Sequence, residues 1–170
     1  KHPQRYIKDM KWKVFSTIFL QKIFEYWFIY SIFVAKYCVM EKKQINVVCA
    51  VIRKGYRYLC TQRLRKGPDY TAERWEFPGG KVKPNESDHE ALRREIKEEM
   101  DWDVYVGGQL GSITYEYPDF NIILTAYDCM ARDYNFKLFV HLDAKWLRID
   151  EFDSLEWTTA DKKLIKKIWK

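Results

Sequence analysis

Residues 76–102 decide the reading of this chain: Glu76-Phe77-Pro78-Gly79-Gly80-Lys81-Val82-Lys83-Pro84-Asn85-Glu86 runs on through Ser87 to Arg94-Glu95-Ile96-Lys97-Glu98-Glu99-Met100-Asp101-Trp102. Ser87 with Glu90 three residues later is a capping box, which predicts a helix starting near Ser87. Ala91, Leu92 and Ile96 make an apolar stripe that anchors one side of that helix. Glu95, Glu98 and Glu99 stand at i, i+3 and i+4, so their carboxylates project together from another face. Like charges so spaced repel, and a hard divalent cation with oxygen ligands offsets the repulsion. Mg²⁺ in particular is held by a few carboxylates plus substrate phosphates. On the three glutamates alone, a solvated acidic face is the plainer reading. Gly79-Gly80 shifts the balance, because glycine lets the backbone approach a metal or phosphate closely.

Outward from this helix the pattern is that of a sheet. Ile45 to Ile52 is rich in β-branched residues, Lys54-Gly55 supplies a turn, and Tyr56 to Arg63 alternates, which predicts a hairpin. Arg65 to Asp69 is a loop by its Gly, Pro and Asp content. Leu110 to Tyr117 and Ile122 to Met130 read as strands joined through Pro118-Asp119, and Ala144 to Ile149 as a short strand. Thr158 to Trp169 carries Leu164, Ile165, Ile168 and Trp169 at helical spacing with lysines on the other face.

The central segment resembles the Nudix box: Gly, five residues, Glu, seven residues, Arg-Glu, an aliphatic, any residue, Glu-Glu, any residue, Gly and an aliphatic. Gly80, Glu86, Arg94, Glu95, Ile96, Glu98, Glu99 and Trp102 occupy the matching positions. Asp101 departs from the last glycine, at a helix end where Asp tolerates the left-handed conformation better than most residues. Cys60-Thr61-Gln62-Arg63, Trp75 to Gly80, Tyr117-Pro118-Asp119 and Thr159-Ala160-Asp161 are similar to the MutT-type branch. That branch includes 8-oxo-dGTP diphosphatases and CTP or dCTP pyrophosphohydrolases. The likeness covers Gln44 to Trp169.

What the resemblance implies is an α+β fold, an α/β/α sandwich with a mixed β-sheet between helices. The Glu95 helix would lie on one face and Thr158 to Trp169 on the other. It implies hydrolysis of a nucleoside triphosphate to the monophosphate and diphosphate, with Mg²⁺ as cofactor and Mn²⁺ as the alternative. The role implied is nucleotide-pool sanitation and DNA repair in the cytoplasm, with 8-oxo-dGTP slightly ahead of the cytidine nucleotides. Carried over by position, the Gly80 carbonyl, Glu95, Glu98 and Glu99 would hold the metal, Glu98 directly or through water. Glu95 would be the general base, and Arg94 would orient the glutamates. Arg63 would contact phosphate, helped by Lys81; Phe77 would line the base pocket. Three further positions differ from the branch. The loop six residues before Trp146, which often supplies a further acid, holds Val140, with Leu142 apolar too and Asp143 as the nearest carboxylate. Asp161 replaces a base-reading Asn, and an ionised Asp only accepts hydrogen bonds, from an oxidised guanine or a cytosine amino group. Phe120 replaces an arginine and could stack on any base.

Composition narrows the other classes. In 170 residues, 47% hydrophobic and 32% charged is a globular profile. Lys1 to Lys43 carries nine Lys/Arg and three Asp/Glu, so the whole net charge of +6 lies there and the chain from Gln44 onward is neutral. A nucleic-acid polymer is therefore not an expected partner. Cys38, Cys49, Cys60 and Cys129 form no CxxC pair and read as reduced core thiols; His2, His89 and His141 are scattered. Residues 1–39 are expected to lie outside the hydrolase domain of residues 40–170. They hold eleven aromatic residues, and Val14 to Val34 is about as long as a membrane span but contains Lys22 and Glu25. Three readings stay open for this segment: a dispensable or non-native extension, a packing helix, or a membrane contact by residues 14–34. A nucleotide-sensing module without catalysis is the rival functional class, and its mark would be loss of box carboxylates; all three are present.

Overall fold

A computed structural model describes residues 20–32 and 42–169. Residues 20–32 form a helix, α1, within a unit spanning Lys1–Glu41; the second unit spans Lys42–Lys170. Most of the aromatic N-terminal segment lies outside the described residues. Among those described, no helix is long and apolar enough to cross a membrane.

The second unit runs β1 (Gln44–Lys54), β2 (Arg57–Arg63), β3 (Trp75–Glu76), β4 (Gly79–Lys81), α2 (Asp88–Met100), β5 (Val104–Glu116), β6 (Asn121–Ala131), β7 (His141–Leu147), a 3-10 helix (Ile149–Ser154) and α3 (Thr159–Ile168). The hairpin expected at Lys54-Gly55 is present, with Arg53 opposite Tyr58 and Gly55 at φ 61°. Past that turn the two strands part. β1 pairs in parallel with β6 and antiparallel with the short β4, while β2 pairs antiparallel with β3 and β7. β5 closes the edge against β6. The sheet is therefore mixed, in the order β3-β2-β1-β6-β5, with β4 on β1 and β7 on β2.

Alternation along β1 explains why helices cover both faces. Val48, Ala50 and Ile52 point into one core with Leu92, Ile96 and Met100 of α2. Cys49 and Val51 point into a second core with Phe77, Trp157 and Leu164 of the α3 side. Each fully buried Leu or Ile contributes about 1.5–3 kcal/mol. The α/β/α sandwich thus follows from a strand that is apolar on both sides.

α2 begins at its capping box: Ser87 Oγ accepts from the Glu90 amide and the Glu90 carboxylate accepts from the Ser87 amide at 2.8 Å. It ends at Asp101, which adopts φ 48° and ψ 40°, the left-handed cap expected of that position. Lys97 and Lys137 hold the Asp101 carboxylate at 3.1 and 2.8 Å. Three boundaries differ from expectation. β5 starts at Val104, well before Leu110, because register shifts around Gly107 and Gly108 interrupt the alternation without ending the pairing. β7 is His141–Leu147 rather than Ala144 to Ile149, and Ile149 opens the 3-10 helix that buries Phe152. β3 and β4 are too short to carry a pattern and exist through their pairing with β2 and β1.

Candidate active site

α2 sits with its acidic face beside β4, and a cleft there is lined by Gly80, Lys81, Glu95 and Glu99. Arg63, Glu76, Phe77, Phe120, Thr158 and Asp161 line the same cleft. The Glu95 carboxylate lies directly over Gly80: a Cβ at that glycine would stand 2.3 Å from Glu95 Cδ and 2.5 Å from Oε2. The residue type at position 80 is therefore set by the carboxylate above it. At Gly79, φ is 156° and a Cβ would meet the Val48 carbonyl oxygen at 2.1 Å, so there the close neighbour is backbone.

Arg94 organises the acids. Its guanidinium donates to Glu86 at 2.6 and 3.0 Å, to Glu95 at 2.6 Å, to Glu98 at 3.3 Å and to the Lys81 carbonyl at 3.1 Å. Those hydrogen bonds hold the Glu86 carboxyl down at about 2. Glu98 is largely exposed and also faces Lys83 at 3.9 Å. Glu99 is different. It is mostly buried, its Oε2 has no hydrogen-bond partner, and burial together with the charges of Glu95 and Glu76 pushes it up to about 8. A buried carboxylate oxygen without a donor, beside a second carboxylate folded over a glycine, fits a hard divalent cation. Among the described residues, no three Asp, Glu, His or Cys side chains already converge as a metal cage. Arg94 holds Glu95 at 2.6 Å and Glu98 at 3.3 Å.

Two residues at this end were not foreseen. Glu76 accepts from Arg63 Nη1 at 2.5 Å; burial nevertheless raises it to about 7. His141 has only 3% of its side chain exposed, and its Nε2 lies 3.8 Å from Glu99 Oε2 and 4.0 Å from Glu76 Oε1. Burial first, and the Arg63 charge second, lower it to about 4, so the imidazole is neutral near pH 7. The connection from β6 to β7 brings it there. Lys137 and Phe139 donate their amides to the Met100 and Glu99 carbonyls at 2.9 and 3.0 Å, satisfying the last turn of α2. Val140 is partly exposed. Asp143, the carboxylate nearest to it in sequence, is half exposed, accepts from its own neighbour's amide and faces Lys145. The acids brought together by the fold are Glu76 and Glu99, not Asp143. A lone histidine at the start of a strand carries no signal of this in sequence.

At the base-reading positions, Asp161 is buried; Oδ1 accepts from the Phe77 amide at 3.1 Å and Oδ2 from the Thr158 hydroxyl. Burial raises it to about 6. The Phe77 ring is only 2% exposed and packs with Phe152, Trp157 and Trp169. Phe120 leans on Tyr117 at 5.0 Å, and Tyr117 stacks on Tyr70 at 5.1 Å with planes 18° apart. The fold thus gathers in one cleft every substrate-binding position expected from sequence, with an aromatic wall that includes Tyr117, backed by Tyr70.

Comparison with known proteins agrees with this geometry. Residues 42–168 match the family model described as NUDIX domain. The 8-oxo-dGTP diphosphatase of Proteus vulgaris is 35% identical over 88 residues, covering 51% of this chain and 77% of that protein. The CTP pyrophosphohydrolase of Escherichia coli (strain K12) is 41% identical over 70 residues, covering 41% of this chain and half of that protein. The crystal structure of the MutT protein from Methanosarcina mazei Go1 superposes with a TM-score of 0.69 at 25% identity, over 76% of this chain and 95% of that one. The chain belongs to the NUDIX family and is a Nudix hydrolase, a family that generally uses a divalent metal.

Proposed function

We propose that residues 40–170 form a Mg²⁺-dependent nucleoside triphosphate pyrophosphohydrolase of the cytoplasmic nucleotide pool, with 8-oxo-dGTP as its substrate. The observation that carries this reading is a single cleft lined both by the box acids Glu95 and Glu99 and by Phe120 and Asp161. When bound, a divalent cation supplies charge neutralisation at the phosphates and a lower pKa for water. The Gly80 carbonyl, Glu95, Glu98 and Glu99 would hold it.

The remaining work falls to side chains. Glu95 takes the proton from the attacking water, and Arg94 keeps Glu95 and Glu98 in position through its hydrogen bonds. Arg63 and Lys81 bind the polyphosphate; Arg63 is already oriented by Glu76. Phe120 stacks on the base, and Asp161 accepts from its Watson–Crick edge. The Phe77 and Thr158 hydrogen bonds fix the Asp161 carboxylate for that purpose.

A second reading, with CTP or dCTP as substrate, is favoured by one specific pair: an acceptor-only Asp161 and an uncharged stacking Phe120 suit a cytosine amino group equally well. A competitive panel of 8-oxo-dGTP, dGTP, CTP and dCTP with Mg²⁺ and with Mn²⁺ separates them. The proposal expects metal-dependent release of diphosphate from 8-oxo-dGTP in preference to dGTP. Turnover of no nucleotide with either metal would sink it and would favour a binding module.

A further inference from the structure

We propose that Tyr70 is a positioning residue for base selection: it braces the Phe120 wall of the cleft and so favours purine over pyrimidine nucleotides. The inference rests on the reading of Phe120 as the face on which the base stacks. Tyr70 stands behind the lining of the cleft and acts through Tyr117, which is part of it.

Tyr70 belongs to the connection from β2 to β3, a loop whose own hydrogen bonds give it a fixed shape. The Arg63 amide donates to the Arg74 carbonyl at 3.0 Å where the loop begins and ends. Within it, the Thr71 and Ala72 amides donate to the Pro68 carbonyl at 2.9 and 3.0 Å, and the Thr71 hydroxyl does so at 3.1 Å. Pro68 and Thr71, on either side of Tyr70 in sequence, both line the cleft. A loop tied at its base and drawn around one carbonyl is a firm carrier for the ring it presents.

Phe120 lies on a different loop, the turn from β5 to β6, where the Tyr117 amide donates to the Phe120 carbonyl at 2.8 Å. Tyr70 joins the two loops twice. Its hydroxyl donates to Asp119 Oδ2 at 2.9 Å, and its ring stacks on Tyr117 at 5.1 Å. Tyr117 packs in turn on Phe120 at 5.0 Å, and its carbonyl accepts from Lys42 Nζ at 3.0 Å. Asp119 is exposed, and Tyr70 is the side chain that ties it down. A turn fixed in this way lets a base stack on Phe120 without first ordering the loop that carries it. Stacking grows with the number of atoms in contact, so a two-ring base draws more from a fixed face than a one-ring base.

Steady-state kinetics of the full chain with 8-oxo-dGTP and dCTP test this on Tyr70→Ala, Tyr70→Phe, Asp119→Ala and Phe120→Ala. Removing a stacking ring weakens base binding by roughly 5–150-fold, and Tyr70→Ala should forfeit part of that. The expected result is a KM for 8-oxo-dGTP raised about tenfold, a KM for dCTP raised less than about threefold, and kcat within about twofold for both. Tyr70→Phe keeps the stack and should bring both KM values back to within about twofold of wild type. Asp119→Ala cuts the same bond from the other loop and should shift the ratio in the same direction. Equal losses for the two nucleotides, or a fall in kcat at unchanged KM, make Tyr70 merely structural and overturn the inference. A KM raised by Phe120→Ala but not by Tyr70→Ala overturns it too, and leaves the base-stacking reading intact. If neither variant raises KM, both fall. Equilibrium dialysis with 8-oxo-dGMP and dCMP reads the same ratio without turnover. A dialysis ratio unchanged in Tyr70→Ala overturns the inference whether or not the chain hydrolyses either triphosphate.

Discussion

Replacing Gly80 by alanine should separate catalysis from stability. The new Cβ would lie 2.3 Å from Glu95 Cδ and 2.5 Å from Oε2. Non-bonded carbon atoms settle at about 3.5–4.0 Å, so the carboxylate must withdraw by more than about 1 Å. Glu95 is a flexible side chain at the rim of a cleft, and the cost to folding is limited to its 2.6 Å bond with Arg94, about 1 kcal/mol. A catalytic group displaced by about 1 Å loses on the order of 10²-fold in rate. Gly79→Ala is the control. Its Cβ would strike the Val48 carbonyl oxygen at 2.1 Å and the Cys49 Cα at 2.7 Å, at a φ of 156°. Backbone cannot step aside, and that variant should lose more than about 3 kcal/mol. Steady-state kinetics with the preferred nucleotide and denaturant unfolding, run on both variants, measure the contrast. Gly80→Ala activity within threefold of wild type, or a stability loss equal to that of Gly79→Ala, would refute the placement of Glu95 over the glycine.

Four further outcomes follow from the same geometry. Arg94→Gln strips the guanidinium from Glu86, Glu95 and Glu98 and should destabilise the domain by about 1–3 kcal/mol, because part-buried carboxylates lose charge-assisted hydrogen bonds. Thermal unfolding would then start roughly 10 °C lower, and an unchanged melting temperature would deny Arg94 this role. In metal-free protein, Glu99 at about 8 keeps a proton that the unfolded chain has released, so stability should fall as pH rises from 6.5 to 8, by up to about 2 kcal/mol. Burial of neutral His141, lowered to about 4, acts oppositely and only below about 6.5, which leaves the upper window to the carboxylates; denaturation in EDTA that is flat across 6.5–8 contradicts this. Asp161→Ala leaves the Phe77 amide without its acceptor and should cost about 1–3 kcal/mol while erasing preference among bases, as a substrate panel would read out. Deleting residues 1–39 should leave kcat/KM unchanged within twofold; a larger loss would bring that segment into the working protein.

The parts of this molecule legible in sequence are those fixed by local rules. The capping box at Ser87 and Glu90, the left-handed cap at Asp101 and the Lys54-Gly55 turn each depend on neighbours a few residues away, and each stands where expected. The apolar run of β1 was equally plain, and its double-sided burial is what makes the sandwich. β3 and β4 were not legible, since strands of two and three residues are defined by partners on β2 and β1. The first half of β5 is hidden in sequence because bulges near Gly107 conceal its alternation. In the site, box spacing brought Gly80, Glu95 and Glu99 forward, but Glu76 and His141 needed the fold. Glu76 sits on a two-residue strand, and His141 reaches the acids only because residues 137 and 139 bond the end of α2. A missing acid at position 140 is visible in sequence; what stands in the space is visible only in three dimensions.

The central claim is that the Gly80 and Glu95 geometry performs metal-dependent cleavage of a nucleotide anhydride. ³¹P NMR of the reaction products, taken on wild type and Glu95→Gln with Mg²⁺ and after EDTA, tests it most directly. The account predicts nucleoside monophosphate and diphosphate from the wild type. It predicts neither at comparable rate from Glu95→Gln, nor from either protein after chelation. Diphosphate release that persists in Glu95→Gln or in EDTA would contradict it.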